Sequence, residues 1–117
     1  MYICTNVNMR RRDLKLSPEE MARVAKALAD STRMAILTAV AQAGELSCGE
    51  VAERFPVGQP TVSHHLKVLA DAGLVAVRRS GQHAFFRYRA ETVAAYTDGL
   101  RAALRRAPKN NTTQGGS

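Results

Sequence analysis

Within the run Gln59-Pro60-Thr61-Val62-Ser63-His64-His65-Leu66-Lys67-Val68-Leu69, an amide, two hydroxyls, an imidazole and an ammonium recur where a helix would turn them to one side. Such groups suit base edges and phosphate oxygens. Gln59 could pair bidentately with adenine, Lys67 could meet a phosphate or a guanine, and His64 a phosphate or a base edge, while Thr61 and Ser63 suit either class. Val62, Leu66 and Leu69 fall in a narrow sector at about 100° per residue and form the inward anchor. His65 flanks that sector and reads as a packing residue. Adjacent histidines point apart on a helix, so the pair is a poor chelate.

A second polar set lies downstream, with Arg78 and Arg79 before Ser80-Gly81-Gln82 and His83 and Arg87 after it. A basic hairpin of this kind can follow phosphates or enter a narrow minor groove. Its bland reading is a solvated edge protected by charge. The chain as a whole has 17 Lys and Arg against 10 Asp and Glu, a net charge of +7, which favours a polyanionic partner. Charge alone would equally allow RNA or an anionic membrane. No apolar run approaches the roughly 18 residues of a membrane span, and Arg10, Arg11 and Arg12 follow the first apolar residues, unlike a secretory signal. A cytoplasmic protein with no membrane partner is therefore expected. No nucleophile, base and orienting acid converge along the sequence, so an enzyme is not expected.

The elements that must hold these side chains are marked by caps. Ser17-Pro18-Glu19-Glu20 opens a helix with a capping box, and Met21, Val24, Ala25 and Leu28 form its stripe. Asp30 caps a second helix carrying Met34, Ile36, Leu37 and Val40, which stops by Gly44. Ser47-Cys48-Gly49-Glu50 repeats the box and starts a short helix through Val51, Ala52 and Phe55, closed by Pro56. Val57-Gly58 is the turn, with Gly58 expected to take angles that would strain other residues. The polar-faced helix then runs from about Gln59 to Ala72 and ends at Gly73.

From Leu74 to Arg89 the period changes to two, with Val75 and Val77 answered by Ala84, Phe86 and Tyr88. Such a hairpin is marginal alone, so its apolar face should rest on the helices. A last helix from about Glu91 to Arg106 places Val93, Tyr96, Leu100 and Leu104 at intervals of three and four. The pattern predicts a mainly α fold with a β-hairpin wing, a winged helix-turn-helix. Residues 1–13 read as a flexible basic arm, 14–106 as the DNA-binding and dimerisation domain, and 107–117 as a disordered tail.

A core of about ninety residues is marginal, and apolar stripes on the first and last helices suit a two-fold seam. Met21, Val24, Val93, Tyr96, Leu100 and Leu104 are its candidates, and Gly99 would let backbones approach there. Two reader helices one DNA turn apart would require a nearly palindromic operator of double-stranded DNA.

These residues together resemble the ArsR/SmtB family of small bacterial winged-helix repressors. The likeness runs from about Leu28 to Leu104. It is strongest in Leu28-Ala29-Asp30 with Arg33 and Ile36-Leu37, in Gln59 to Leu69 followed by Ala72-Gly73-Leu74-Val75, and in Arg79, Gly81 and Phe86-Arg87-Tyr88. The resemblance implies a homodimer that occupies an operator and represses transcription until an inducer weakens its grip. Family members that sense arsenite or cadmium often follow Glu45-Leu46 with cysteine, any residue and cysteine, whereas this chain has Ser47 and Gly49 there, with Cys48 between them. Members that bind zinc through the last helix use aspartate and histidine pairs, and here Asp98 stands without a histidine.

No metal site of the usual kind is therefore expected, and no cofactor is assigned. The two cysteines, Cys4 and Cys48, remain a candidate site for arsenite, a thiophilic metal or disulfide formation, with Cys48 as a half-buried packing residue the plainer reading. A nucleic-acid- or protein-binding adaptor on the same fold is a further alternative.

Overall fold

The computed structural model describes Tyr2–Ile3 and residues 15–105. Among the described residues, five helices, α1 (Pro18–Leu28), α2 (Ser31–Ala43), α3 (Cys48–Arg54), α4 (Gln59–Asp71) and α5 (Ala90–Arg105), combine with strands β1 (Tyr2–Ile3), β2 (Glu45–Ser47), β3 (Val75–Ser80) and β4 (His83–Tyr88). The expected caps all form. Ser17 Oγ accepts from the Glu20 amide at 3.1 Å, while Glu20 Oε1 accepts from the Ser17 amide at 2.8 Å. Ser47 and Glu50 repeat that exchange at 3.1 and 2.8 Å. Each box satisfies donors that the first helical turn leaves open.

Between α3 and α4 the turn differs from expectation. Gly58 is the N-cap of α4 with φ −68° and ψ 157°, extended backbone open to any residue, and no side chain caps that end. Strain is instead met at Gly73, where φ is +80° as the chain leaves α4 for β3, and at the hairpin tip on Gly81.

The sheet is wider than the expected hairpin. β3 and β4 pair with Val77 opposite Phe86 and Val75 opposite Tyr88, as the alternation predicts. β2 then pairs with the outer edge of β4, placing Leu46 opposite Phe86. On the other edge, Tyr2–Ile3 pair antiparallel with β3 opposite Arg78 and Val77, so these two residues of the stretch read as an arm are extended strand. Both edges of the hairpin root are thus covered, which answers the marginality of two strands alone.

One core joins these elements. Val24, Ile36, Leu37, Val40, Leu46, Val51, Val62, Leu66, Leu69, Leu74, Val75 and Phe86 are buried together, so α1 to α4, β2 and the hairpin each contribute a face, and α5 packs Val93 and Tyr96 against it. Truncating Leu66 or Leu69 to alanine would cost about 2–5 kcal/mol each, because both are fully buried. Met34 lies outside this core, 45% exposed on the outer side of α2. A polar joint fixes the end of α4: Thr92 Oγ1 donates to the Gly73 carbonyl at 2.6 Å, and the Arg89 amide donates to the Leu74 carbonyl at 3.0 Å. Arg89 is itself buried and pairs with Glu91 at 2.9 Å. The end of α4, the hairpin and α5 are therefore locked at one point.

Candidate nucleic-acid interface

Because Val62, Leu66 and Leu69 are wholly buried, the opposite side of α4 faces outward. Gln59, Thr61, Ser63, His64 and Lys67 are all exposed there, as the spacing predicts. His65 is half-buried, in keeping with a packing role, yet it also has a polar partner. Arg33 Nη1 approaches His65 Nδ1 at 3.5 Å, and since a guanidinium only donates, the imidazole nitrogen accepts.

In the hairpin, two neighbouring arginines differ. Arg78, expected to face nucleic acid, is engaged by the fold: its Nε and Nη2 donate to the Glu45 carboxylate at 3.2 and 3.1 Å, and its guanidinium lies 4.4 Å from the centre of the Phe85 ring. A bidentate carboxylate pair over an aromatic face suits arginine's planar fork. Sequence spacing did not reveal this, because Glu45 belongs to a strand that the alternation of the hairpin does not signal. Arg79, Gln82, His83 and Arg87 are exposed, and Arg79 extends beside the tip.

A half-open cleft of about 510 Å³ separates α4 from the hairpin, lined by Cys48, Ser63, Lys67, Ala70, Asp71, Val77, Arg79, Ala84 and Phe86. Its floor is apolar and its rim carries two cations, a hydroxyl, a thiol and a carboxylate. Cys48 Sγ lies 3.2 Å from Ser63 Oγ, which puts the thiol beside the polar face of α4. Lys67 Nζ lies 3.3 Å from Asp71 Oδ2. Neither Cys48 nor Asp71 was assigned to this face from sequence, although the interval of four between Lys67 and Asp71 was a usable signal.

The candidate seam residues divide. Val24 is fully buried in its own core and offers no surface to a second chain, which corrects its assignment. Val93 and Tyr96 are partly buried against that same core. Met21 lies against α5, with its Sδ 3.2 Å from the position a Cβ on Gly99 would take. Gly99 thus makes room for a methionine of its own chain rather than for another backbone. Leu100 and Leu104 remain 41% and 68% exposed.

Residues 28–78 match the helix-turn-helix domain family. An uncharacterized HTH-type transcriptional regulator, YceK of Bacillus subtilis, is 37% identical over 93 residues, which cover 78% of this chain and 93% of that protein. The arsenical resistance operon repressor of Staphylococcus aureus is 41% identical over 66 residues, 56% of this chain and 62% of that one. Among solved structures, the homodimeric winged helix-turn-helix domain of Mb0332 from Mycobacterium bovis, a possible ArsR-family regulator, aligns with a TM-score of 0.60 at 27% identity. That alignment covers 81% of this chain and 94% of the other. The chain belongs to the ArsR/SmtB family.

As an ArsR/SmtB member it is a helix-turn-helix transcriptional regulator and not an enzyme. In that fold, α3 and α4 form the helix-turn-helix pair and the β3–β4 hairpin is the wing. Among the described residues no group of three or more His, Cys, Asp and Glu is arranged to hold a metal ion, and no helix is long and apolar enough to cross a membrane. Cys48 is half-buried. Cys4 and Arg10, Arg11 and Arg12 lie outside the described residues, as does the tail from residue 107.

Proposed function

We propose that this protein is a cytoplasmic transcriptional repressor that binds a near-palindromic operator as a homodimer. Its reading residues are Gln59, Thr61, Ser63, His64 and Lys67 on α4, with Arg79, Gln82, His83 and Arg87 following the backbone from the wing. The observation that carries this reading is the division of α4: Val62, Leu66 and Leu69 are wholly buried on one face, and the other presents Gln59, Thr61, Ser63, His64 and Lys67 with Pro60 beside a basic hairpin. Support for pairing comes from the exposed Leu100 and Leu104 on α5 and from the homodimeric relative. Two symmetric reader helices would sit about one helical turn apart on DNA.

The test is binding of the purified protein to duplexes from upstream of its own gene and to random duplex. Replacing His64 and Lys67 together by alanine should weaken both, with loss of a base contact costing about 1–3 kcal/mol of discrimination. Unchanged affinity in a folded double variant would overturn the reading. Preference for structured RNA over duplex DNA would instead support an adaptor role.

A second reading is favoured by one observation, the Cys48 thiol 3.2 Å from Ser63 on the reading face. In it, arsenite, a thiophilic metal or an oxidant acts through Cys48 and Cys4 to release DNA. Release that is lost in Cys48→Ser supports it, and release that survives in that variant excludes it.

A further inference from the structure

We propose that Asp71 limits the grip of this protein on DNA by holding Lys67 away from the phosphate backbone, so that a bound duplex must displace the carboxylate. This rests on the assignment of Lys67 to the DNA-contacting face. Lys67 Nζ lies 3.3 Å from Asp71 Oδ2, and the two side chains are 73% and 60% exposed on the rim of the cleft between α4 and the wing. Asp71 is the one acidic residue among those lining the cleft, where Lys67 and Arg79 are the cations.

Helix stability does not account for the pair. Asp71 is the last residue of α4, where the helix macrodipole disfavours a negative charge. The order is also the poorer one, because an acid four residues before a lysine supports a helix better than an acid four residues after it. A carboxylate in this place opposes both the helix end and any approaching phosphate. Among the described residues its one favourable partner is the ammonium that the phosphate would take. Asp71 therefore acts as a positioning residue: it fixes Lys67 in the free protein and lowers affinity for every duplex alike, without reading a base.

An exposed pair of this kind is weak, which sets the effect at roughly two- to fivefold in affinity. The test measures the full-length protein on a random-sequence duplex across a range of salt concentrations. Asp71→Asn should tighten binding two- to fivefold and steepen the slope of log K against log salt by up to about one phosphate contact, near 0.9. Asp71→Glu, which keeps the charge within reach of Lys67, should stay near the parent. In a Lys67→Met background the gain from Asp71→Asn should vanish. No tightening in Asp71→Asn, or an equal gain in the Lys67→Met background, would overturn the proposal, the latter pointing to direct repulsion of the strand. A different result, parent and Lys67→Met binding equally well, would remove Lys67 from the interface itself.

Discussion

Arg33 Nη1 stands 3.5 Å from His65 Nδ1, so a residue at the start of α2 meets α4 on the flank of its buried face. The same guanidinium donates through Nε to the Ala27 carbonyl at 2.9 Å and through Nη2 to the Lys26 carbonyl at 3.1 Å. Those carbonyls belong to the last turn of α1, where the helix leaves acceptors open and where that of Lys26 also accepts from the Ala29 amide at 3.3 Å. Arg33 thus ties α1, α2 and α4 together. Arg33→Met should cost about 1–3 kcal/mol of stability in urea unfolding, by stripping these acceptors of a charged donor. His65→Leu should cost less, and the pair should couple by at least about 0.5 kcal/mol in a double-mutant cycle. Strict additivity would mean that the contact is not formed in solution.

The wing offers a contrast between neighbours. Arg78 is bound to Glu45 and lies over Phe85, whereas Arg79 is exposed beside the tip. Arg78→Ala should lower stability by about 1 kcal/mol, through loss of a half-exposed bidentate pair and its ring contact. Arg79→Ala should leave the melting temperature in place and weaken binding to any duplex, with a shallower salt slope. Melting curves and salt titrations on the two variants would reveal a reversed pattern at once.

Acid should destabilise the fold through two named carboxylates. The Asp30 carboxyl is held below its ordinary value chiefly by the Arg33 backbone amide that it caps, burial acting the other way. For Glu91, burial pushes upward but is outweighed by its own backbone amide and the Arg89 guanidinium, so the result is again a lowered value. Each group releases its proton more readily in the folded state. Their stabilisation is therefore complete above the unfolded carboxylate range, near pH 4, and is lost as pH falls through the lower folded values. Asp30→Asn, which still caps a helix, combined with Glu91→Gln should flatten the acid limb of melting temperature against pH. A limb as steep as that of the parent would assign the loss to other groups.

Much of this arrangement can be read from local chemistry. Ser17, Asp30 and Ser47 announce their helices because a cap needs only residues three apart, and Val62, Leu66 and Leu69 announce the buried face of α4 because its period is local too. What escapes is decided by pairing across long separations. Glu45–Ser47 is too short for its alternation to mark a strand, so neither β2 nor the Glu45 partner of Arg78 can be expected from spacing. Val24 reads equally well as seam or as core, and only the packing of α1 against its neighbours chooses. Likewise Cys48 and Ser63, fifteen positions apart, meet because α3 lies against α4.

Met21 sits in the notch left by Gly99, and beyond that notch residues 101–105 of α5 are all exposed. Among the described residues none shelters the final turn of α5, which keeps its shape mainly through backbone bonds, with Arg101 and Asp98 paired at 3.8 Å just before it, the condition under which helix ends fray. Whatever covers Leu100 and Leu104 will also determine how much of that end stays coiled. If the cover is the second copy proposed above, protein concentration, and not only warmth, governs the order of this terminus, and dilution should loosen it first.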